Sequence, residues 1–304
     1  ERSQFMTITE SDAKNPRVAI VGAGTLGGPM AARLLAAHFE VDVWSRTPET
    51  IAPLVAGGAK GHRAVHDAVA QAGVVVTLLP TAQVTETLMF DQPESGLDAL
   101  QPGATWVQMA TIGPAATERI ARRVGALRPD VAFIDAPVSG SKGPAESGQL
   151  LILASGNEAR ARSLEPLFGV VGRKTMWLGP VGAGSRMKLI LNTWLAFQAE
   201  GAAESLSLAA RLNVEPSRVV EALDGNALAS PYAIAKLQRT VNADYSSDFS
   251  LGLALKDLDL VAADAGSDAA PIASDIATRW RALVESGAGG LDVAAAAQGL
   301  AARG

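Results

Sequence analysis

The 304 residues include no cysteine, and that absence excludes disulfides, thiolate zinc sites and a cysteine nucleophile together. Histidine is almost as scarce: His38, His62 and His66 are the only three, all in the first quarter of the chain. A histidine general base in the second half is therefore impossible, and acid/base work there falls to lysine, tyrosine or a carboxylate. His62 and His66 have the spacing of a helical metal pair, yet no third ligand is recognisable and Gly57, Gly58 and Gly61 make the stretch loop-like, so no metal site is expected. No apolar run reaches the roughly eighteen residues of a membrane span, so a soluble, cytoplasmic protein is expected. With a net charge of -5 and no block of lysine or arginine, nucleic acid is not an expected partner. Residues 1–16, with Glu1-Arg2-Ser3-Gln4-Phe5 ahead of Met6, read as a tag remnant and disordered N-terminus.

What is present suggests two domains, since 48% hydrophobic residues supply ample core material. Arg17-Val18-Ala19-Ile20-Val21 predicts a buried strand, Gly22-Ala23-Gly24-Thr25-Leu26-Gly27 a glycine turn, and the alanine- and leucine-rich stretch to about His38 a helix. Val41-Asp42-Val43-Trp44 completes a βαβ unit. Further strand-length runs come at 74–79, 105–109 and 131–135. Beyond Gly184 the pattern turns helical, and a proline-free helix is predicted over Ser185 to Leu212, apolar almost all round and suited to burial between domains or subunits. The expected architecture is α/β: a Rossmann-type doubly wound parallel sheet over 17–181, binding NADP, followed by an all-α domain over 182–304 for substrate and dimerisation. The glycine- and alanine-rich end, Ser286 to Gly304, is expected to fray or to swap onto a partner.

In the glycine turn, Gly22 permits the tight bend, Gly24 lets backbone approach a pyrophosphate and Gly27 lets helix pack on strand. The ribose is read at the end of the second strand, where an NAD site places Asp or Glu and this chain has Ser45-Arg46-Thr47. Asp42 lies too early in the strand for that task. A guanidinium beside two hydroxyls suits a 2′-phosphate, so NADP(H) is favoured over NAD(H).

Lys188 and Asn192, four apart, share one helix face, where an ammonium and a carboxamide can hold a carbonyl oxygen and protonate it. Asp135-Ala136-Pro137-Val138-Ser139-Gly140-Ser141-Lys142 carries small residues able to cradle a carboxylate, although alone it reads as an ordinary loop. Lys256-Asp257, downstream of Phe249, could face the same cleft or be a surface ion pair on a helix, and by itself is read as the second. Tyr232 and Lys236 have the tyrosine–lysine spacing of short-chain dehydrogenases, but the glycine turn differs from theirs and the pair falls in the helical half, so the match is taken as coincidence. Trp194 and Phe249 are candidates to size a pocket.

Taken in order, the glycine turn, the Asp135–Gly140 block, Gly184-Ser185-Arg186-Met187-Lys188 with Asn192, and Phe249 through Lys256-Asp257-Leu258 resemble the β-hydroxyacid dehydrogenase family over Arg17 to about Trp280. Within it, Ser139 through Leu150 with Ser141, and Arg46-Thr47, are most similar to the glyoxylate/succinic semialdehyde reductase branch. The resemblance implies that Lys188 is the acid/base, with Asn192 and Ser139 also in the catalytic group. It implies substrate contacts from Ser139, Gly140, Ser141, Lys188, Asn192, Phe249 and Asp257. Cofactor contacts would come from Gly22, Gly24, Thr25, Leu26, Gly27, Ser45, Arg46, Thr47, Leu78, Leu79, Pro80, Thr111 and Lys256. The implied activity is NADPH-dependent reduction of a short semialdehyde or 2-oxo acid; the apolar helix, separately, leads to the expectation of a homodimer or homotetramer. The alternatives are an NAD-dependent 3-hydroxyacid dehydrogenase, an imine reductase, which usually lacks a lysine at the position of Lys188, or an NADPH-binding protein without catalysis.

Overall fold

The computed structural model describes residues 15–301, so the expected tag lies almost wholly outside the described residues, as do 302–304. Nine strands form the sheet: β1 (Val18–Val21), β2 (Val41–Trp44), β3 (Lys60–Gly61), β4 (Val74–Thr77), β5 (Thr105–Gln108), β6 (Ala132–Asp135), β7 (Val138–Ser139), β8 (Leu150–Gly156) and β9 (Gly172–Trp177). The order is β3-β2-β1-β4-β5-β6-β8-β7, with β9 against β8. The first six strands are parallel, as a doubly wound sheet requires. Beyond them β8 runs antiparallel to β6 and β7, because the chain turns back through the short helix Lys142–Ser147 and not through a full crossover. The sequence reading did not anticipate β3, β7, β8 or β9.

Strand side chains alternate between two packed faces. Val18, Ile20, Ile134 and Ile152 meet Met30, Leu34, Leu164 and Leu167 on one side; Ala19, Val21, Val75 and Trp106 meet Ile120 and Val124 on the other. Burial on both faces is why these strands read as continuous apolar runs.

The second half is built on the 29-residue helix Ala183–Arg211, with helices Pro216–Leu223, Pro231–Val241, Leu251–Ala265 and Pro271–Glu285 around it. Proline in the first turn starts three of these, and Ser230 and Ser250 cap two, each through a hydroxyl that accepts from a backbone amide. Ala196, Ala199 and Ala203 let Leu255, Leu258, Ile276 and Trp280 approach the long helix closely. The expectation of a fraying end fails for the described part of it. Val293 to Ala296 are buried against the long helix, and Asp292 makes an ion pair with Lys236 at 2.7 Å.

Candidate active site

The glycine turn has the shape a dinucleotide needs. Gly22 has φ +104°, and a Cβ there would lie 2.5 Å from the carbonyl oxygen of Leu78; a Cβ on Gly27 would lie 2.3 Å from the carbonyl oxygen of Gly22. Both glycines are required by close backbone packing. Gly24, by contrast, is exposed, with nothing within 4 Å of where a Cβ would stand. The helix Gly27–Ala36 begins there without a side-chain cap, so its first amides face an open turn able to take an anion. The backbone amides of Gly22 and Ala23 donate to the carbonyl of Trp44, which joins this turn to the end of β2. Leu78, Leu79 and Pro80 follow β4 beside it, the amide of Leu78 donating to Val21 at 2.9 Å. These residues fit a nicotinamide dinucleotide.

At the tip of β2, Arg46 and Thr47 are exposed, and Arg46 has no ion pair or side-chain hydrogen bond among the described residues. Asp42 is buried at the other end of the strand, held by Arg17 and, at 2.6 Å, by Nε2 of His62. It is therefore committed to the fold and out of reach of a ribose. The same contact uses His62 structurally, and His66 lies separately on the helix Val65–Val69.

The long helix begins at Gly182, which has no side chain to cap it. The capping oxygen comes from the other domain. Asp135, buried at the end of β6, accepts from the amides of Gly182 (3.2 Å) and Ser185 (2.9 Å) and from the hydroxyls of Ser185 (2.8 Å) and Ser155 (2.9 Å). Burial pushes its carboxyl above the usual range, while all four contacts are donors that favour the anion, as does the positive end of the helix. Ser155 in turn accepts from the amide of Gly184, and Thr117 shares a hydrogen bond with Ser185. Gly184 is obligatory: a Cβ there would lie 2.1 Å from the carbonyl oxygen of Leu153 on β8. This anchor, which the sequence reading missed, fixes where Lys188 stands one turn later. Its signal was a lone carboxylate ending the apolar run 131–135.

Lys188 is half-buried and has no hydrogen-bond or ion-pair partner among the described residues. Burial brings its ammonium down to about 8, with Asp257 opposing the shift and Lys256 adding to it. One turn on, the buried Asn192 donates Nδ2 to Oδ2 of Asp257 at 2.5 Å. The other oxygen of Asp257 is buried, accepts no hydrogen bond and contacts the Lys256 ammonium at 3.0 Å. Lys256 also donates to the backbone carbonyl of Thr111, tying helix Leu251–Ala265 to the loop after β5. The surface-pair reading of Lys256-Asp257 is thus overturned: Asp257 is buried and joins Asn192 to Lys256.

Ser139 ends β7, which packs beside the long helix, and Gly140 has φ +135° with a would-be Cβ 2.8 Å from Leu150. Among the described residues the hydroxyls of Ser139 and Ser141 make no hydrogen bond, and Ser141 does not cap the helix that follows it. Phe249 has its amide held by Asp292 and its ring packed against the helical core. Trp194 does not face the lysine. It lies about 200° round the helix from Asn192, 61% exposed. Tyr232 and Lys236 share a helix, but burial and then Asp292 push the phenol up, the reverse of activation by lysine. The surface depressions beside Arg33 and beside Arg173 contain none of the cluster.

A dinucleotide-shaped turn on a Rossmann sheet, joined through Asp135 to a helix bearing an unpaired lysine, defines a two-domain nicotinamide-dependent oxidoreductase. Residues 17–179 match the family model of the NAD binding domain of 6-phosphogluconate dehydrogenase, and 182–300 that described as NAD-binding of NADP-dependent 3-hydroxyisobutyrate dehydrogenase. The chain belongs to the β-hydroxyacid dehydrogenase family and is an NAD(P)-dependent oxidoreductase acting on CH–OH groups of a small molecule. It is 32% identical to NAD-dependent L-serine dehydrogenase of Pseudomonas aeruginosa, over 89% of this chain and 93% of that one. It is 30% identical to chloroplastic glyoxylate/succinic semialdehyde reductase 2 of Arabidopsis thaliana, over 88% and 74% respectively. Among solved structures, 3-hydroxyisobutyrate dehydrogenase from Salmonella typhimurium superposes with a TM-score of 0.85 at 27% identity, covering 93% of this chain and 99% of that one. Among the described residues no helix is long and apolar enough to cross a membrane.

Proposed function

We propose that this protein uses NADPH to reduce a short aldehyde or 2-oxo acid bearing a carboxylate, of the glyoxylate or succinic semialdehyde type, with Lys188 as the proton donor. The observation that carries the reading is an unpaired, half-buried Lys188 with its pKa near 8, on the face of Asn192. When bound, reduced nicotinamide supplies the hydride. Lys188, mostly ammonium at neutral pH, gives its Nζ proton to the oxygen that becomes the hydroxyl. One N–H of Asn192 Nδ2 is committed to Asp257, which leaves its second N–H and Oδ1 to orient the lysine or the substrate. Ser139 and Ser141, with the Gly140 backbone, hold the substrate carboxylate through hydroxyls and amides.

The preference for NADPH rests on the unpaired Arg46 and on the commitment of Asp42 elsewhere. The likeness to the serine dehydrogenase favours a second reading, NAD-dependent oxidation of a 3-hydroxy acid through the same residues. Nucleotide oxidation against glyoxylate, succinic semialdehyde, methylmalonate semialdehyde, tartronate semialdehyde and a cyclic imine, with NADPH and NADH, separates them, run beside L-serine oxidation with NAD and NADP. Turnover of a semialdehyde with NADPH well above NADH supports the first; serine oxidation preferring NAD replaces it with the second. NADPH binding without turnover removes both.

The long helix leaves Ile190, Trp194, Leu208 and Leu212 exposed along one stripe opposite Lys188. A second copy covering this stripe makes the protein a dimer or tetramer. Trp194→Asp with Leu208→Asp should yield a monomer by light scattering; an unchanged mass would remove the stripe from the interface.

A further inference from the structure

Two arginines, Arg46 and Arg63, follow the paired strands β2 and β3 at their carboxyl ends. Strand β3 is parallel to β2 with Gly61 opposite Val43, and the indole of Trp44, the last residue of β2, reaches the carbonyl of Arg63, so Arg63 follows β3 beside the end of β2. The loop that carries Arg63 is held at three points. The amide of His62 donates to Val43 at 3.0 Å, Nε2 of His62 meets Oδ1 of Asp42 at 2.6 Å, and Nε1 of Trp44 donates to the carbonyl of Arg63 at 3.2 Å. Asp42 is itself fixed by Arg17. On this anchored backbone the Arg63 side chain is exposed and, among the described residues, makes no ion pair or hydrogen bond, as is true of Arg46. Neither pairs with Glu49 or Asp67, the nearest acids in sequence. Seven arginines elsewhere, Arg17, Arg119, Arg123, Arg128, Arg186, Arg279 and Arg281, each meet a carboxylate, so Arg46 and Arg63 belong to the smaller set left open. Two unpaired cations on adjacent loops suit one shared anion, and a guanidinium fork matches the oxygens of a phosphate.

We propose that Arg63 is a second ligand for the 2′-phosphate of the dinucleotide, closing on it from β3 while Arg46 approaches from β2. The inference rests on the NADPH reading and deepens it. Each charge-assisted contact is worth on the order of ten- to a hundred-fold in binding. The 2′-phosphate is the only difference between NADPH and NADH, so the pair of cofactors isolates the contact.

Dissociation constants for NADPH and NADH, from cofactor fluorescence with the full chain, test it in Arg63→Gln, Arg63→Lys, Arg46→Gln and, as a control for general charge, Arg122→Gln. Arg63→Gln should weaken NADPH by about ten-fold or more and leave NADH unchanged, with Arg63→Lys intermediate and Arg122→Gln without effect. Thermal melts equal to the wild type show that each variant is folded. If Arg46→Gln alone loses NADPH, the role of Arg63 is overturned and the NADPH reading survives. If Arg63→Gln weakens NADPH and NADH alike, Arg63 serves the loop and not the phosphate, and the inference fails. A wild-type protein that binds NADH as tightly as NADPH sinks both.

Discussion

Two lysines of the helical half are withdrawn from bulk water, and only one of them is neutralised. Lys236 lies 2.7 Å from Asp292, whose carboxylate also accepts from the amides of Ala294 (3.1 Å), Asp248 (3.2 Å) and Phe249 (3.3 Å). Burial would raise that carboxyl, but the lysine and the amides outweigh it and hold it below the usual range. Lys188 has no such partner, and burial leaves it close to deprotonation at about pH 8. A paired lysine is locked into one charge state and fastens the end of the chain to helix Pro231–Val241. An unpaired one can give its proton away. Burial alone therefore does not mark a functional lysine; burial without a partner does.

Exchanging the two tests that contrast most sharply. Lys188→Ala is expected to lower kcat by about 10²–10⁴-fold while the melting temperature and NADPH affinity stay put. Steady-state rates, thermal melts and fluorescence titration read this, and turnover within ten-fold of wild type would end the assignment. Lys236→Met should do the reverse, losing about 3–5 kcal/mol in urea unfolding because Asp292 is stranded, with the folded fraction as active as the parent. Unimpaired stability there would erase the distinction. Smaller, and between the two, Asp135→Asn replaces an acceptor of four hydrogen bonds and should cost about 1–3 kcal/mol of stability. It should also depress kcat with little change in cofactor affinity, since it carries the start of the helix that bears Lys188. Unchanged kcat in that variant would make the anchor purely structural.

The smallest effect concerns pH. Reduction needs the ammonium, so its rate should be level below about pH 8 and fall above it, whereas oxidation, which needs the free amine, should rise through the same region. Asp257 holds the Lys188 ammonium up, so Asp257→Asn should move both limbs to lower pH. A limb that moved upward would show that Asp257 does not act on this lysine through its charge.

Local signals carried the Rossmann half. The run Arg17–Val21, the glycines behind it and Val41–Trp44 announce their elements because each fills one strand or turn with residues that suit nothing else. Less legible were β3, two exposed residues, and β9, whose Arg173 and Lys174 face solvent on an edge strand, so neither has the apolar run of a central strand. Strand β8 did have that run and was passed over behind a glycine-rich loop. In the helical half the four-residue spacing of Lys188 and Asn192 was visible, but Lys256-Asp257 looked like a surface pair, because an ion pair in sequence does not show which side of its helix is covered. Trp194 misled for the same reason: size and chemistry suggested a pocket wall, and the turn of the helix points it outward.

By itself the sequence determined the opening βαβ unit, the glycine turn and the exclusion of histidine and cysteine from acid/base work in the second half. Those follow from covalent neighbours, from composition and from backbone limits that act over a few residues. Tertiary structure alone decided that Asp135 would cap a helix 47 residues on, that Asp257 would bind Asn192 across 65, and that Lys236 would find Asp292 while Lys188 found nothing. Whether a charge is met or left open depends on which distant segments the core brings together, and packing, not spacing along the chain, sets that.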